Sequence, residues 1–512
     1  MTACAALLVP KPMGAQDFPT DDPVLHAIWQ AGMVDSRAGE LAQVLLDSLG
    51  PRLTGTPNSE AAADWVGRMY RSWGIESRLE PYGTWTGWRR GITHIDLLEP
   101  RVRSLDGMML AGSPGTSGTV TGEVITLSRL AAPAELPAFL ERARGRFVLF
   151  APPEPTCRPE ENWEEWATPE SLARMREERA AARSDFAERL ALTGLRFVEL
   201  ARRLDEAGAA GLVGTNWPDG WGVQRVFNAA TERAPHVTLS CEDYGLLWRL
   251  TERGQGPVLR VEAEAEILGE VAVANLIGMI PGTERPDEYV MLSAHFDSWD
   301  GASGATDNGT GTITMMEAIR ILGLAYPRPR RTILVGHWNG EEQGLNGSGA
   351  YAADHPEVLE GLQVLLNQDN GTGRITTISM MGLVDAGAFF GRWLSRIPQE
   401  ITRHITLTTP GTPGGGGSDY ASFICRGAPA IALSAHPWDY STYTWHSTLD
   451  TYDKVVLDDL KNNATLVAML AYLASEEPER IPRTRRVMPL DRRTGQPAEW
   501  PGCRQPQRSL AR

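Results

Sequence analysis

Two histidines and five carboxylates sit where the chain changes from extended to loop character. His295 and Asp297 follow an apolar run at 289–294, Glu341 and Glu342 follow a run at 332–336, and Asp369 follows a run at 364–367. Asp307 lies in the loop Thr306-Asp307-Asn308-Gly309 that opens the next helical stretch, and His446 ends the late loop Tyr443-Thr444-Trp445-His446. Asp297, Asp307, Glu341, Glu342 and Asp369 in one cleft could not all stay ionised without counter-charge. Divalent cations supply it. Two imidazoles mixed with carboxylates suit zinc, whereas an all-oxygen set would suit magnesium or calcium. Two zinc ions bring four positive charges, which three ligand carboxylates and a bridging hydroxide nearly balance. His295 and Asp297 are two apart, so on an extended chain they face the same side. Asp297 is then placed to accept the second N–H of His295 and fix its tautomer.

The elements that must position these groups read as alternating strands and helices. A further strand-like run lies at 430–434, and helical patterns occupy 312–324 and 460–474. Such alternation predicts an α/β fold, a mixed and largely parallel sheet flanked by helices, with ligands gathered beyond the carboxyl ends of the strands. An amphipathic helix is expected over 57–74, with Ala62, Trp65, Val66, Met69, Tyr70 and Trp73 on one stripe, Asn58 or Ser59 as its cap and Gly74 as its end. Between 101 and 268 the character changes to strand-like (146–151), Trp/Glu/Arg-rich and helical (169–192, 199–207) stretches with no catalytic cluster, which we read as a separate inserted domain. The expected organisation is therefore a truncated secretory signal at 1–15, the N-terminal part of the main domain at 16–100, the insert at 101–268, the part of the main domain that carries the acidic and histidine cluster at 269–475 and a Pro/Arg-rich surface tail at 476–512. The signal reading, and with it a periplasmic or secreted location, rests on the apolar stretch from Ala3 to Val9 followed by Met13-Gly14-Ala15.

A chain of 512 residues is too long for one ordinary core. Its net charge of −15 argues against nucleic acid as a partner, because the only basic cluster is in the tail, at Arg483, Arg485, Arg486, Arg492 and Arg493. No apolar run approaches the ~18 residues of a membrane span. The five cysteines form no CxxC pair, so a cysteine zinc site is not expected. Neither a G-x-S-x-G elbow nor an H-E-x-x-H helix is present, and the Gly-rich runs at 308–311 and 414–417 lack a P-loop lysine. We read the second run as a loop near the substrate. A second H-x-D, His94-Ile95-Asp96, has no acidic loop after it and reads as structural, and His337 reads as facing the sheet core. Arg392 and Arg396 could bind a substrate carboxylate, but solvation is the simpler reading.

The combination resembles the M28 family of co-catalytic zinc exopeptidases. The matching stretches are Ala294-His295-Phe296-Asp297-Ser298, Ala305-Thr306-Asp307-Asn308-Gly309-Thr310-Gly311, Asn339-Gly340-Glu341-Glu342-Gln343-Gly344, Asn367-Gln368-Asp369 and Trp445-His446-Ser447-Thr448-Leu449-Asp450, supported by Pro51-Arg52-Leu53-Thr54-Gly55-Thr56 and Asn275-Leu276-Ile277-Gly278. The resemblance implies five metal ligands: His295 and Asp369 on one zinc, Glu342 and His446 on the other, and Asp307 bridging. It implies Glu341 as general base acting on a metal-bridging water, and an insert of the protease-associated (PA) type. One departure stands out. Several relatives carry Tyr before the final histidine, where its hydroxyl polarises the scissile carbonyl; here it is Trp445, whose indole cannot ionise, leaving Tyr443 as a substitute. Ser418-Asp419-Tyr420 also has Tyr where many aminopeptidase relatives have His.

The function expected from this resemblance is hydrolysis at a peptide chain end, with an aminopeptidase or dipeptidase preferred over a carboxypeptidase. A glutaminyl cyclase-like enzyme on the same fold is a more distant alternative, since it would use one zinc. A non-catalytic binding protein would have lost ligands that this chain keeps. No oligomeric state follows from the sequence, and a homodimer is compatible with it.

Overall fold

The computed structural model describes residues 18–510 apart from 128–129, 370 and 492–493. The expected signal segment, Arg492 and Arg493 lie outside the described residues. The elements that build the site are α1 (Pro57–Ser72), β1 (Glu76–Glu99), β2 (Val258–Ile280), β3 (Arg285–His295), α2 (Thr310–Ala325), β4 (Arg331–Trp338), β5 (Leu362–Gln368), β6 (Ile375–Ser379), β7 (Thr406–Thr408), β8 (Ala430–Ala435) and α3 (Leu457–Glu476).

These strands lie in the order β7-β6-β8-β5-β3-β4-β2-β1. The central four, β8, β5, β3 and β4, are mutually parallel, and β2 and β6 flank them antiparallel. Every residue of β4 and β5 is buried. That is why they read as continuous apolar runs rather than as alternating ones. Helices α2 and α3 pack on each other and on β3, and α2 is buried from Thr310 through Leu322. Helix α1 turns Ala62, Val66 and Tyr70 inward. Its cap is Thr56, whose hydroxyl accepts from the Ser59 N–H at 3.3 Å, rather than the expected Asn58 or Ser59, because Pro57 opens the first turn. The Tyr70 hydroxyl and His337 Nε2 are 2.5 Å apart. Burial holds His337 down to about 3, so it is a neutral core residue.

The insert hangs from a long ribbon. β1 and β2 pair antiparallel from Glu76↔Met279 to Glu99↔Val258. The boundary expected at 268 therefore falls inside one strand that serves both parts, at a bulge where the register passes from Gly87↔Gly269 to Trp88↔Ile267. Beyond the ribbon, the strand Val120–Thr126 pairs with β2 and leads parallel to Phe147–Leu149, Gly211–Gly214 and His236–Leu239. Two apolar clusters, one around Leu149, Val213 and Val237 and one around Phe139, Phe150 and Leu212, give this part its own core. Cys157–Cys241 ties it internally. The residues of the H-x-D copy at His94 lie on the ribbon, where Asp96 pairs with Arg260.

The tail is a strap rather than a loose extension. Arg485 bridges to Leu383, Cys503 is disulfide-bonded to Cys425, and Ser509–Leu510 adds a short parallel strand to Thr84–Trp85 of β1. Among the described residues no helix is long and apolar enough to cross a membrane. The Cys425–Cys503 bridge closes a loop with a sequence separation of 78 residues. Changing both cysteines to serine should lower stability by about 2–4 kcal/mol in chemical denaturation. Limited proteolysis should then cut the strap while the rest of the chain resists.

Candidate metal centre

The structure brings the sequence-predicted residues to one edge of the sheet. His295 is the last residue of β3, Asp369 follows β5 directly, and Glu341 and Glu342 lie in the loop after β4. Asp307 sits in the turn Ala305–Gly309 that opens α2. His446 follows the turn Tyr440–Thr444 and has φ +57°, a left-handed conformation that a non-glycine residue adopts only when its surroundings hold it there. The insert provides that hold: the Val226 N–H donates to the His446 carbonyl at 2.8 Å, and the Thr448 N–H donates to Gln224 at 3.0 Å.

Two ligand groups result, and they share one carboxylate. His295 Nε2 lies 3.2 Å from Asp369 Oδ1 and 3.3 Å from Asp307 Oδ1. His446 Nε2 lies 3.2 Å from Asp307 Oδ2 and 2.8 Å from Glu342 Oε2. Asp307 thus turns one oxygen to each group, and within each trio the ligand atoms lie inside 4.8 Å of one another. Asp307 Oδ2 and Glu342 Oε1 are buried without a hydrogen-bond donor, as expected of oxygens built to face a cation. The donor set, two imidazoles and three carboxylates, fits zinc.

Support for these ligands comes from behind. Asp450 accepts from the Thr306 N–H at 2.7 Å and the Asp307 N–H at 3.1 Å, which fixes the turn carrying the shared carboxylate. Arg52, fully buried, donates to the carbonyls of Gly50, Phe296, Ser303 and Gly304 and so staples the loop that leads from β3 to Asp307. Asp297 does something other than the spacing predicted. The His295 Nδ1 lies 3.0 Å from the Asp297 carbonyl oxygen but 3.7 Å from its carboxylate. The chain leaves the sheet at His295, so the extended geometry assumed for that pair ends there. The carboxylate instead accepts from the N–H groups of Glu341 at 3.1 Å and Glu342 at 3.3 Å, and from Thr54 Oγ1 at 3.2 Å. It orients the loop that carries the acid pair.

Glu341 belongs to neither ligand trio but lines the same cleft of about 290 Å³ as Asp307, Glu342, Asp369 and His446. Burial, with Asp369, Asp419 and Glu342 adding and His295 opposing, pushes its carboxyl well above the usual range. Other residues in and around the cleft escaped sequence reading. Tyr440 lines it, whereas Tyr443 faces a separate pocket with Pro437, Trp438 and Lys454. Burial raises the Tyr440 phenol well above its ordinary value, and the carboxylates of Asp307 and Asp369 add to this. Trp445 stacks on His446 with ring centroids 3.9 Å apart, and the Arg225 guanidinium lies 4.6 Å from the Trp445 ring. Phe227 of the insert packs edge-on to His446 at 5.1 Å. Arg504 of the strap also lines the cleft. No local motif marks these residues, because turns and long-range pairing bring them in. Arg392 and Arg396 lie elsewhere, paired with Glu477 and Asp22.

The charges make a pH prediction for the metal-free protein. Burial, with Asp307 adding, pushes Glu342 up to about 7, and burial likewise pushes Asp450 up to about 7. Burial works against charge on His446, but Glu342 and Asp307 hold it up at about 9. Each of the three keeps a proton in the fold that the unfolded chain would release at lower pH, so metal-free stability falls as pH rises. Asp307, held well below its ordinary range by the two histidines, acts in the opposite sense only in acid. In the presence of a chelator, the melting temperature should fall between about pH 6 and pH 9; added zinc should raise it and flatten the fall, because ligands must shed protons to bind metal.

Comparison with known proteins gives the same reading. Residues 275–471, which contain all five candidate ligands and Glu341, match peptidase family M28. Carboxypeptidase Q of Mus musculus is 25% identical over 457 residues, covering 88% of each chain, and that of Pongo abelii is 26% identical over 458 residues with the same coverage. Among solved structures, a peptidase M28 precursor from Shewanella amazonensis superposes with a TM-score of 0.64 at 23% identity, covering 90% of this chain and 97% of that one. A zinc aminopeptidase from Bacillus subtilis superposes with a TM-score of 0.54 at 19% identity, covering 87% and 96%. These two show the shared fold, and over residues 275–471 the chain is similar to peptidase family M28.

Proposed function

We propose that the protein is a zinc-dependent exopeptidase acting at the ends of short peptides, as an aminopeptidase or dipeptidase. The observation that carries this is the sharing of Asp307 between two ligand trios, with Glu341 beside them and claimed by neither. His295, Asp369 and Asp307 would hold one zinc ion, and Glu342, His446 and Asp307 a second. Bound there, the ions would supply the positive charge that makes water nucleophilic at neutral pH and polarises the scissile carbonyl. Glu341 takes the proton of the attacking water and returns it to the leaving amine. Its raised proton affinity suits that exchange. Tyr440, rather than Tyr443, donates its O–H to the oxyanion as it forms, a task Trp445 cannot serve while stacked on His446. Asp297 keeps Glu341 and Glu342 aimed.

Carboxypeptidase action is the second reading, favoured by the relatives named carboxypeptidase Q. The insert, which we take as PA-like, shapes one wall of the cleft through Phe227 and the bond from Val226 to His446. The two disulfides favour an oxidising, extracytoplasmic compartment.

The deciding experiment is mass spectrometry of products from short peptides with free, N-blocked or C-blocked ends, with zinc and with chelator. Stepwise loss from the N-terminus, stopped by N-blocking and by chelator, supports the aminopeptidase; loss from the other end supports the carboxypeptidase. No metal-dependent cleavage would sink the exopeptidase reading in favour of a cyclase or binding protein. Glu341→Gln should lower turnover by about 10²–10⁴-fold with zinc content unchanged by elemental analysis. Tyr440→Phe should lower kcat by about 10–10³-fold with little change in KM, while Tyr443→Phe should not.

A further inference from the structure

The strap carries six arginines among the described residues, and five of them are occupied. Arg480, Arg483 and Arg486 donate to main-chain carbonyls, Arg508 pairs with Asp354, and Arg485 stacks on Trp500 at 4.6 Å. Among the described residues Arg504 has no hydrogen-bond, ion-pair or ring partner, although it lines the same cleft as Asp307, Glu341, Glu342 and Asp369.

Its position is built. Cys503, the residue before it, is bonded to Cys425. Three residues later the Gln507 N–H donates to Asn346 Oδ1 at 2.7 Å. Asn346 opens the helix that follows the Glu341 loop, so the strap is anchored to the element next to the acid pair. The guanidinium lies against bare backbone: a Cβ at Gly416 would be 2.5 Å from Arg504 Nη2. The glycine run at 414–417 leaves room for this arginine at the rim.

Charge gives the arginine its role. On the two-zinc reading above, the four charges of the ions are offset by Asp307, Glu342, Asp369 and the bridging hydroxide. Arg504 then stands as a cation without a bonded partner in a cleft of about 290 Å³, a space at the small end of ligand sites. A planar fork of donors with no protein partner suits a carboxylate. In a dipeptide, the free carboxylate lies one residue beyond the scissile bond, about 3.8 Å along the Cα trace. In a longer peptide cut at its N-terminus, that place holds a neutral carbonyl.

We infer that Arg504 binds the free α-carboxylate of the leaving residue, so that dipeptides are the preferred substrates. This rests on the exopeptidase reading, so the test reads binding as well as turnover. Zinc-loaded protein carrying Glu341→Gln is titrated calorimetrically with a panel of dipeptides and their C-terminal amides, alone and with Arg504→Gln or Arg504→Lys added. The free acids should bind at least tenfold more tightly than the amides. Arg504→Gln should erase that difference by weakening the acids alone, and Arg504→Lys should restore part of it. Equal affinity for acid and amide, equal weakening of both by Arg504→Gln, or no dipeptide binding would overturn the inference. Turnover by the otherwise unaltered enzyme is a separate result: acid-selective binding without any hydrolysis would leave Arg504 its ligand and refute the exopeptidase.

Discussion

The structure depends on a concentration of buried negative charge. Asp307 stands between two imidazoles, with Glu342 and Asp369 completing a trio on either side and Glu341 in the same cleft. Carboxylates this close raise one another's proton affinity and cost folding energy unless cations or protons accompany them. Much of the surrounding architecture serves to hold them there. Arg52 is committed to four backbone carbonyls rather than to any carboxylate, and Asp450 and Asp297 use their charge on main-chain N–H groups. The loops are thereby fixed from outside the ligand shell, which leaves the ligand oxygens free for metal.

The sheet explains why such a cluster forms at all. Parallel strands β3, β4 and β5 end at the same edge, so the residues after each of them converge whatever their separation in sequence. The strands are buried on both faces and tolerate little movement, which turns three loop starts into a rigid frame. The two ligands outside that frame need other means. Asp307 is placed by the turn into α2 and by Asp450. His446, in a left-handed conformation, is held by the insert through Val226 and by its stack on Trp445.

The insert packs against His446 and Trp445, and the strap reaches the cleft from the other end of the chain. Phe227 and Arg225 arrive along the ribbon of β1 and β2, and Arg504 arrives from the chain's far end, fixed by a disulfide.

By itself, the sequence determined the fold class and a set of candidate site residues. Residue type carries donor chemistry, and apolar runs carry strand placement, so two histidines and five carboxylates could be read as one cluster before any coordinates, and the family resemblance singled out His295, Asp307, Glu342, Asp369 and His446 among them. Only the tertiary structure decided which groups face one another: that Asp307 divides its oxygens between two trios, that the Asp297 carboxylate holds backbone rather than the imidazole, that Tyr440 rather than Tyr443 enters the cleft, and that a tail reading as loose surface returns as a strap with Arg504 at the rim. The reason is physical. These relations depend on where a turn leaves the sheet and on contacts between residues hundreds of positions apart, and neither leaves a period or a spacing in the chain.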